Sequence, residues 1–413
     1  MRFEDSNFNP LIKKNLSEMG FRRPTDIQFK AIPPIMKGED VLAIAQTGTG
    51  KTAAFVIPIV NQLLKEKNEG EVRCMVMVPT RELALQITEV FEMIAKDSEL
   101  RVLCVYGGVE QDPQIEQLTK GVDILVATPG RMFDLTSQGY ITTDKVKILV
   151  LDEADHMLDL GFIHDIRQLV TKLPKKRQTL FFSATIDHEI KKLAYSLVKD
   201  AIRIQISPKD PVAKNIDHFV TFIEMDDKRF FLERMINEHP GSKILVFVRT
   251  KVRADRVCAA LQRVEIPSVT MHGDKDQKER EHALEQFRNG DVTILIATDV
   301  TARGIDIDDV EFVINYDLPE NPEYYVHRVG RTGRGTKRGT AISFCSEEEK
   351  PVLEEIEAYL TKKIDVLDIS KKDYSATISF SSQGTDDWKS LIKEAVIEQE
   401  KWDKKKKKPF KKK

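Results

Sequence analysis

Two short motifs, one hundred residues apart, carry the residue types that hold a nucleoside triphosphate. Residues 45–52 read AQTGTGKT between an apolar run and a helix-like pattern, and residues 152–155 read DEAD after a second apolar run. Gly48 and Gly50 allow the backbone to turn so that successive N–H groups face phosphate oxygens, and Lys51 adds a positive charge for the terminal phosphates. The residues predicted to line this phosphate-binding loop are Ala45, Gln46, Thr47, Gly48, Thr49, Gly50, Lys51 and Thr52.

The hydroxyl and carboxylate groups of the two motifs suit a magnesium ion. Thr52 would offer its hydroxyl to Mg²⁺, and Asp152 would hold the water molecules around the ion. Glu153 would orient or deprotonate the attacking water, so we expect hydrolysis of ATP with Mg²⁺ as cofactor. The loop begins with Ala45 where the usual pattern has glycine, a mild departure because the anion-facing turn lies further along. Two unrelated turns would explain either motif alone, but they explain both together poorly.

Apolar strands alternate with helical patterns in two series, and a polar segment with two prolines at residues 207–215 separates the series. Continuous Val, Ile and Leu runs are typical of strands buried on both faces of a sheet. The alternation predicts an α/β fold with two parallel-sheet domains, residues 1–206 and 216–369, each with functional loops at the carboxyl ends of its strands. The predicted strands are 41–45, 73–78, 101–105, 123–127, 147–151, 178–182, 217–223, 243–248, 267–271, 292–297, 310–315 and 339–344.

Composition agrees with a folded protein of more than one domain. The chain has 413 residues, of which 41% are hydrophobic and 31% are charged, enough for two or three full-sized cores. No run of eighteen apolar residues occurs, and the first residues lack the pattern of a secretory signal, so we expect a cytoplasmic protein without membrane spans. The four cysteines show no CxxC spacing, which favours reduced core thiols over a zinc site.

The C-terminal residues carry a concentrated positive charge. Lys404–Lys408 and Lys411–Lys413 add eight charges to a chain of formal net charge −2, which leaves −10 on residues 1–403. Such a run is too repulsive and too poor in apolar residues to pack, so we expect residues 370–413 to be mostly unfolded, with room for a short helix at 386–400. This tail is either a solubilising end or a sequence-independent tether for phosphates.

A second group of charged residues lies in the later half of the chain. Residues 327–334 read HRVGRTGR, so glycines separate arginines on a predicted turn or short helix. Arg331 and Arg334 are candidates to stabilise the charge on a transferred phosphoryl group, because guanidinium offers planar and permanently charged donors. Asp306 is a candidate to meet the nucleotide ribose. Taken alone, the cluster would be an ordinary basic surface, but only the first domain has a phosphate loop, so we expect the second to complete a shared site.

These ordered motifs, followed from about Phe3 to Arg334, resemble the DEAD-box family of ATP-dependent RNA helicases. The resemblance implies two tandem RecA-like domains. It also identifies residues 20–28, GFRRPTDIQ, with the adenine-sensing element of the family, in which Phe21 stacks on adenine and Thr25 and Gln28 bind the nucleotide. A carboxamide offers a donor and an acceptor to the adenine edge, and a phenyl ring offers a stacking face. Without the resemblance, this segment would be interpreted as a helix start.

The resemblance further implies RNA contacts and a coupling element. Hydroxyls, glycine N–H groups and arginines at strand ends suit sugar–phosphate contacts, which read no sequence. The implied RNA-binding residues are Thr80, Arg81, Gly108, Thr128, Arg131, Arg249 and Thr298. The residues implied to couple hydrolysis to unwinding are Asp155, Ser183, Thr185 and His327. Taken singly, Thr80, Thr128 and the segment Ser183–Thr185 would be interpreted as helix caps.

The implied function is ATP-dependent unwinding of RNA duplexes and remodelling of RNA–protein complexes. ATP held by the first domain and RNA laid across both domains would jointly favour a closed state. A clamp that grips RNA with little unwinding would use the same residues and stays an alternative, while a DNA-directed motor is less favoured. We expect a monomeric core, and a tail that recruits ribonucleoprotein partners in ribosome assembly or RNA decay.

Overall fold

The computed structural model describes residues 2–45, 48–66, 70–185, 188–206, 212, 215–299, 307, 309–333 and 337–379. These residues divide into two compact units, one made of the described residues up to 206 and the other of those from 212 onward.

The first unit contains a parallel sheet of seven strands in the order β3-β4-β2-β5-β6-β1-β7. Its strands are β1 (Val41–Ala45), β2 (Cys74–Met77), β3 (Val102–Val105), β4 (Ile124–Ala127), β5 (Ile148–Leu151), β6 (Gln178–Ser183) and β7 (Ile202–Ile206). The six predicted strands are confirmed, and their ends differ from the prediction by one residue at most. The apolar pattern does not reveal β7, because this edge strand reads IRIQI and alternates apolar with polar residues instead of forming an apolar run.

Helices cover both faces of this sheet. They are α1 (Pro10–Glu18), α2 (Asp26–Met36), α3 (Lys51–Leu63), α4 (Arg81–Ile94), α5 (Asp112–Thr119), α6 (Pro129–Ser137), α7 (Ala154–Asp159), α8 (Ile163–Lys172) and α9 (His188–Leu197). In β1, Val41 and Ala43 pack in a core with α1 to α4, whereas Leu42 and Ile44 pack in a second core with α6 to α9. Because successive strand residues point to opposite faces, burial of both faces requires an unbroken apolar run.

The second unit repeats this architecture with the strand order β10-β11-β9-β12-β13-β8-β14, again all parallel. Its strands are β8 (Ile216–Phe222), β9 (Ile244–Phe247), β10 (Val269–Met271), β11 (Ile294–Ala297), β12 (Phe312–Asn315), β13 (Gly339–Cys345) and β14 (Asp365–Val366). Its helices are α10 (Lys228–Glu238), α11 (Lys251–Arg263), α12 (Gln277–Asn289), α13 (Pro322–Val329), α14 (Lys350–Leu360) and α15 (Lys371–Ile378). The prediction of two parallel α/β domains is therefore confirmed, and the two-residue strand β14 is the one the sequence pattern does not reveal.

The expectation that the chain is mostly unfolded from residue 370 onward is wrong for residues 371–379. Ser370 caps α15 by accepting a hydrogen bond from the N–H of Asp373 at 3.1 Å. Tyr374 packs on Phe231 of α10 with 4.9 Å between ring centroids, and its hydroxyl donates to Asp227 at 2.9 Å. The cap and the aromatic contact hold this polar helix on the second unit, although its average composition suggests an unfolded segment. Residues 380–413, which include the lysine run and the suggested helix, lie outside the described residues.

The four cysteines are free thiols; Cys74, Cys258 and Cys345 are buried and Cys104 is partly buried. Burial raises the pKa of the Cys104 thiol to about 11, so this thiol stays protonated at neutral pH. Across the described ranges, no helix combines the length and the apolar character needed to cross a bilayer.

Candidate nucleotide and RNA site

The strand order sorts the predicted site residues into two groups along one edge of the first sheet. The strands β5, β6 and β1 are neighbours, and their carboxyl ends carry the DEAD motif, Ser183 and the phosphate loop. The strands β3, β4 and β2 are also neighbours, and the residues that follow them are the RNA-binding candidates of this unit. Because the carboxyl ends of parallel strands meet at one edge, the fold alone gathers motifs that are far apart in sequence.

The buried side chain of Gln28 connects the phosphate loop to residues 20–28, the segment predicted to sense adenine. Gln28 donates from Nε2 to the carbonyl of Gly50 at 3.1 Å, and its Oε1 accepts from the N–H of Thr25 at 2.9 Å. Gly50 has a φ of 89°, and a Cβ built on it would lie 2.6 Å from Gln28 Nε2, so glycine is required there. A carboxamide has a second N–H and a second lone pair, so these bonds are compatible with the predicted adenine contact of Gln28, which stays a prediction.

Lys51 opens α3, and only 6% of the residue is exposed. Its ammonium nitrogen Nζ has no hydrogen-bond partner among the described residues. A buried ammonium without hydrogen-bond acceptors costs several kcal/mol, so such a group in a folded chain indicates an anionic ligand. Thr52 follows Lys51 in α3 and is half-buried. These residues fit a bound triphosphate.

Asp152 and Glu153 follow β5 directly, and both are buried. Burial raises the pKa of Asp152 to about 6, although the neighbouring ammonium of Lys51 acts in the opposite direction. Glu153 has a φ of 49°, a left-handed conformation uncommon outside glycine, and its N–H donates to Asp152 Oδ1 at 2.9 Å. A cation relieves the cost of a buried carboxylate, and hard oxygen donors are what Mg²⁺ prefers, so this pair fits a magnesium ion.

Asp155 connects the DEAD motif to the next strand of the sheet. Its Oδ2 accepts hydrogen bonds from the N–H groups of Ala184 and Thr185, each at 3.1 Å. The strands β5 and β6 are paired, which brings the residues that follow them together. The hydroxyls of Ser183 and Thr185 are buried and have no hydrogen-bond partner within the described part of the chain.

Phe21 is supported by an aromatic residue near the start of the chain. Its half-buried ring meets the ring of Phe3 edge-on, with 6.1 Å between centroids and 60° between planes. Phe3 is itself buried, and its N–H donates to the carbonyl of Arg22 at 3.2 Å. The ring of Phe21 is therefore held in place beside the element that carries Gln28, and its stacking on adenine stays a prediction.

Arg81 is buried, whereas an arginine that contacts RNA phosphates is expected to be exposed. Its guanidinium carbon lies 4.0 Å from the centroid of the Tyr106 ring, the geometry of a cation–π contact. Gln114 fixes the backbone of Tyr106 through two hydrogen bonds of 3.2 Å, one in each direction. Thr80 caps α4 by accepting from the N–H of Leu83 at 3.3 Å. Thr80 and Arg81 thus have structural contacts, and their RNA-binding role stays a prediction.

Arg131 also fixes the loop of residues 106–109. Its Nη2 donates to the carbonyl of Val109 at 2.6 Å. Gly108 in this loop has a φ of 81°, which favours glycine. Thr128 precedes α6, but its side chain makes no capping hydrogen bond. The capping interpretation therefore holds for Thr80 and fails for Thr128.

In the second unit, Arg249 follows β9 and is oriented by buried acidic residues. Its Nη2 donates to Glu349 Oε1 at 3.1 Å, and its backbone N–H donates to Asp317 Oδ2 at 3.0 Å. Glu349 also pairs with Lys228, a fully buried residue whose Nζ donates to the carbonyl of Tyr316 at 2.8 Å and whose pKa burial lowers. This network fixes Arg249 while 36% of its side chain stays exposed.

The arginine cluster of residues 327–334 divides into residues with different environments. Arg328 is buried, and its guanidinium donates to both carboxylate oxygens of Asp299 at 2.5 and 2.7 Å. This pair anchors the residue that follows Thr298 at the end of β11. Arg331 is also buried, and its Nε donates to the carbonyl of His327 at 3.1 Å. The predicted site residues that lie outside the described ones are Gln46, Thr47, Asp306 and Arg334.

Two protein-family models match the chain, DEAD/DEAH box helicase over residues 25–193 and Helicase conserved C-terminal domain over residues 227–336. The ATP-dependent RNA helicase RhlB of Shewanella amazonensis is 40% identical over 372 residues, which cover 88% of this chain and 85% of that relative. The chain belongs to the DEAD-box RNA helicase family. The ATP-dependent RNA helicase DBP2 of Candida glabrata is 42% identical over 356 residues, and the match covers 84% of this chain but 65% of the relative's length.

This DEAD-box helicase is similar to a solved structure of S. cerevisiae Dbp5 bound to RNA and ADP BeF3. The similarity covers 96% of the present chain and 99% of the Dbp5 chain. The two share 29% sequence identity with a TM-score of 0.83. The expected class of tandem RecA-like domains is thereby confirmed.

Sequence reasoning misses two residues of this DEAD-box helicase that the structure places at the site. Tyr106 stacks on Arg81, and His156 lies with Nδ1 3.4 Å from Glu153 Oε2. Both had a signal in the sequence. Tyr106 directly precedes a glycine pair, and His156 lies three residues after Glu153, a spacing that brings side chains together on a helix.

Proposed function

We propose that this DEAD-box helicase hydrolyses ATP in its first unit and uses the reaction to separate RNA strands locally. The observation that carries the proposal is the buried ammonium of Lys51, without a hydrogen-bond partner among the described residues, beside the buried carboxylates of Asp152 and Glu153. A polyphosphate supplies the anion that this lysine needs, and its metal ion supplies the cation that the carboxylates need. The RNA and ADP BeF3 named in the Dbp5 structure support RNA and a nucleotide as the ligands here.

Different residues of the first unit have different roles in ATP hydrolysis. Lys51 and the N–H groups of the phosphate loop bind the terminal phosphates. Thr52 and Asp152 are the residues to hold Mg²⁺, which neutralises charge on the phosphate oxygens when bound. Glu153 accepts the proton of the attacking water while the water oxygen bonds to the γ-phosphorus and the bond from that phosphorus to the bridging oxygen breaks. The products are ADP and inorganic phosphate.

Nucleotide recognition is assigned to Phe21, Thr25 and Gln28, because Gln28 connects the adenine-sensing element to the phosphate loop by a hydrogen bond. The hydrogen bond between Gln28 and Gly50 makes the position of the loop depend on the position of α2. Adenine bound against Phe21 would then stabilise the same loop geometry that binds phosphate.

RNA binding is assigned to residues that follow the strands in both units: Thr80, Arg81, Gly108, Thr128, Arg131, Arg249 and Thr298. Contacts with phosphates and sugars fix the position of the RNA without reading bases, so little sequence preference is expected. ATP and RNA favour the same closed arrangement of the two units, and each ligand therefore strengthens binding of the other. Arg331 and Arg334 then stabilise the charge on the transferred phosphoryl group, and Asp306 meets the ribose.

Coupling between hydrolysis and strand separation runs through Asp155, whose carboxylate holds the segment Ser183–Thr185. His327 is the coupling candidate of the second unit. Replacement of both Ser183 and Thr185 by alanine should spare RNA-stimulated ATP hydrolysis and abolish strand separation. Loss of both activities in parallel would assign these hydroxyls to hydrolysis itself.

The lysine run at 404–413 is a tether for RNA phosphates and for ribonucleoprotein partners of ribosome assembly or RNA decay. Its eight positive charges supply salt-sensitive affinity without sequence preference. The core acts as a monomer in the cytoplasm, and its domains are residues 1–206 and 216–369, the second extended by the helix α15 that packs on α10.

ATP turnover with and without single-stranded RNA, beside release of a labelled strand from a short RNA duplex, tests this function. The wild type should hydrolyse ATP faster with RNA and should release the strand. Lys51→Ala should lose nucleotide affinity, whereas Glu153→Gln should bind ATP and RNA but hydrolyse at least a hundredfold more slowly. Normal RNA-stimulated turnover in Glu153→Gln would refute the assignment, and turnover without strand release would indicate a clamp.

The shared-site proposal has its own test. A fragment that ends near Gln205 retains the phosphate loop and the DEAD motif but lacks Arg331. It should bind nucleotide and hydrolyse ATP far below the RNA-stimulated rate of the whole chain. If the fragment reaches that rate, the second unit contributes nothing to hydrolysis.

A further inference from the structure

His156 lies at the DEAD motif but belongs to none of the roles assigned so far. It is the third residue of α7, and 2% of it is exposed. Its Nδ1 lies 3.4 Å from Oε2 of Glu153, the carboxylate that accepts a proton in the proposed reaction. Its backbone N–H donates to Asp155 Oδ1 at 3.1 Å, so the residue is fixed to the motif through main chain and side chain together.

The environment of the other ring nitrogen, Nε2, indicates that His156 has a role beyond packing. Nε2 is buried and has no hydrogen-bond partner among the described residues. A buried polar atom left unsatisfied costs about 1–3 kcal/mol, and an apolar side chain in the same space would avoid that cost. Glu153, its partner, carries a second cost because its backbone is left-handed. Two local costs within one histidine–glutamate pair are typical of a functional arrangement.

We infer that His156 is a positioning residue, which donates from Nδ1–H to Glu153 Oε2 and so holds the carboxylate in the rotamer that accepts the proton of the attacking water. This inference rests on the proposed function. A glutamate side chain has three rotatable bonds, and one fixed oxygen removes most of the freedom of the carboxylate before the water arrives. The effect should appear in kcat and not in ATP binding, since His156 contacts the base and none of the phosphate-binding residues described.

Three substitutions separate positioning from packing. His156→Asn places an amide N–H close to the position of Nδ1, His156→Gln places it near Nε2, and His156→Leu keeps bulk without a donor. We expect kcat for RNA-stimulated ATP hydrolysis to fall about tenfold in the Leu and Gln variants and by less than about twofold in the Asn variant. The KM for ATP and the affinity for a fluorescent ADP with Mg²⁺ should stay within about twofold of the wild type in all three.

A double-variant comparison checks that the effect passes through Glu153. In the Glu153→Gln background, His156→Leu should cause no further loss of kcat, because the group that it positions is gone. Unchanged kcat in His156→Leu would overturn the inference, and so would equal losses in the Asn and Leu variants or additive losses with Glu153→Gln. If His156→Leu does not fold, as judged by circular dichroism and ADP binding, the comparison of Gln with Asn decides.

The outcomes also distinguish this inference from the proposed function. If the wild type shows no RNA-stimulated hydrolysis, or if Glu153→Gln is fully active, the proposed function itself fails. If those two proteins behave as proposed and His156→Leu is fully active, only the positioning role of His156 is lost.

Discussion

Replacement of Asp152 by asparagine should stabilise the ligand-free protein at neutral pH, and this gain should shrink in acid. Burial raises the pKa of Asp152 from its ordinary 3.8 to about 6. The charged form is therefore disfavoured in the fold, and each pKa unit corresponds to about 1.4 kcal/mol. The charge costs the first unit about 3 kcal/mol of unfolding free energy at pH 7, a cost that is absent when the residue carries a proton or is asparagine.

The direction of the pH effect follows from which form of the protein binds the proton more tightly. Between pH 6 and pH 3.8 the folded chain holds a proton on Asp152 that the unfolded chain has released, so the cost is complete above pH 6 and vanishes as the pH falls through this window. These two pKa values give a cost about 1.3 kcal/mol smaller at pH 5 than at pH 7.

Guanidinium denaturation of the wild type and Asp152→Asn, followed by circular dichroism at pH 7 and pH 5, measures this difference. The relevant transition is the one that ADP with Mg²⁺ shifts to higher denaturant in the wild type, because a ligand stabilises the unit that binds it. Groups that titrate in the same way in both proteins cancel in the comparison. An equal difference in stability between the two proteins at both pH values would refute the assignment of a raised pKa to Asp152.

Three further predictions concern other positions, two from contacts and one from charge. Gly50→Ala should weaken the affinity for ADP with Mg²⁺ at least tenfold, since its Cβ meets a buried amide and its φ is 89°, whereas Gly273→Ala should leave that affinity unchanged because nothing lies within 4 Å of its Cβ. Glu349→Ala should destabilise the second unit by about 3 kcal/mol in denaturation experiments, because it leaves the ammonium of Lys228 buried without its carboxylate. Removal of residues 404–413 should weaken RNA binding and reduce the slope of log affinity against log salt by up to about 6, with basal ATP hydrolysis unchanged.

Each of these predictions has a control and a contrary outcome. Glu347→Ala removes an exposed ion pair with Lys350 and should cost far less stability than Glu349→Ala, so equal losses for the two variants would contradict the buried-pair argument. Unchanged ADP affinity in Gly50→Ala would show that the loop tolerates the clash. RNA affinity that is equal with and without the lysine run at low salt would exclude the tether.

The sequence by itself determines the fold class, the strands other than β7 and β14, and the two nucleotide motifs. Each of these signals is local. The apolar run from Val41 to Ala45 predicts a doubly buried strand, and the spacing from Gly48 to Lys51 predicts a phosphate loop, because strand burial and phosphate geometry restrict neighbouring residues directly. Local signals fail where the pattern is weak, as in the edge strand β7, or where one side chain overrides the average composition, as Tyr374 does for α15.

Only the tertiary structure decides how the chemical groups are held. Gln28 reaches Gly50, Asp155 reaches Thr185 and Arg328 reaches Asp299, and these partners lie 22 to 30 residues apart in the chain. Their contacts exist because the strand order brings particular loops to the same edge of a sheet, and residue types alone do not encode that order. The structure therefore distinguishes two kinds of buried basic residue. Arg328 is paired with the carboxylate of Asp299 inside the second unit, whereas the ammonium of Lys51 has no hydrogen-bond partner among the described residues.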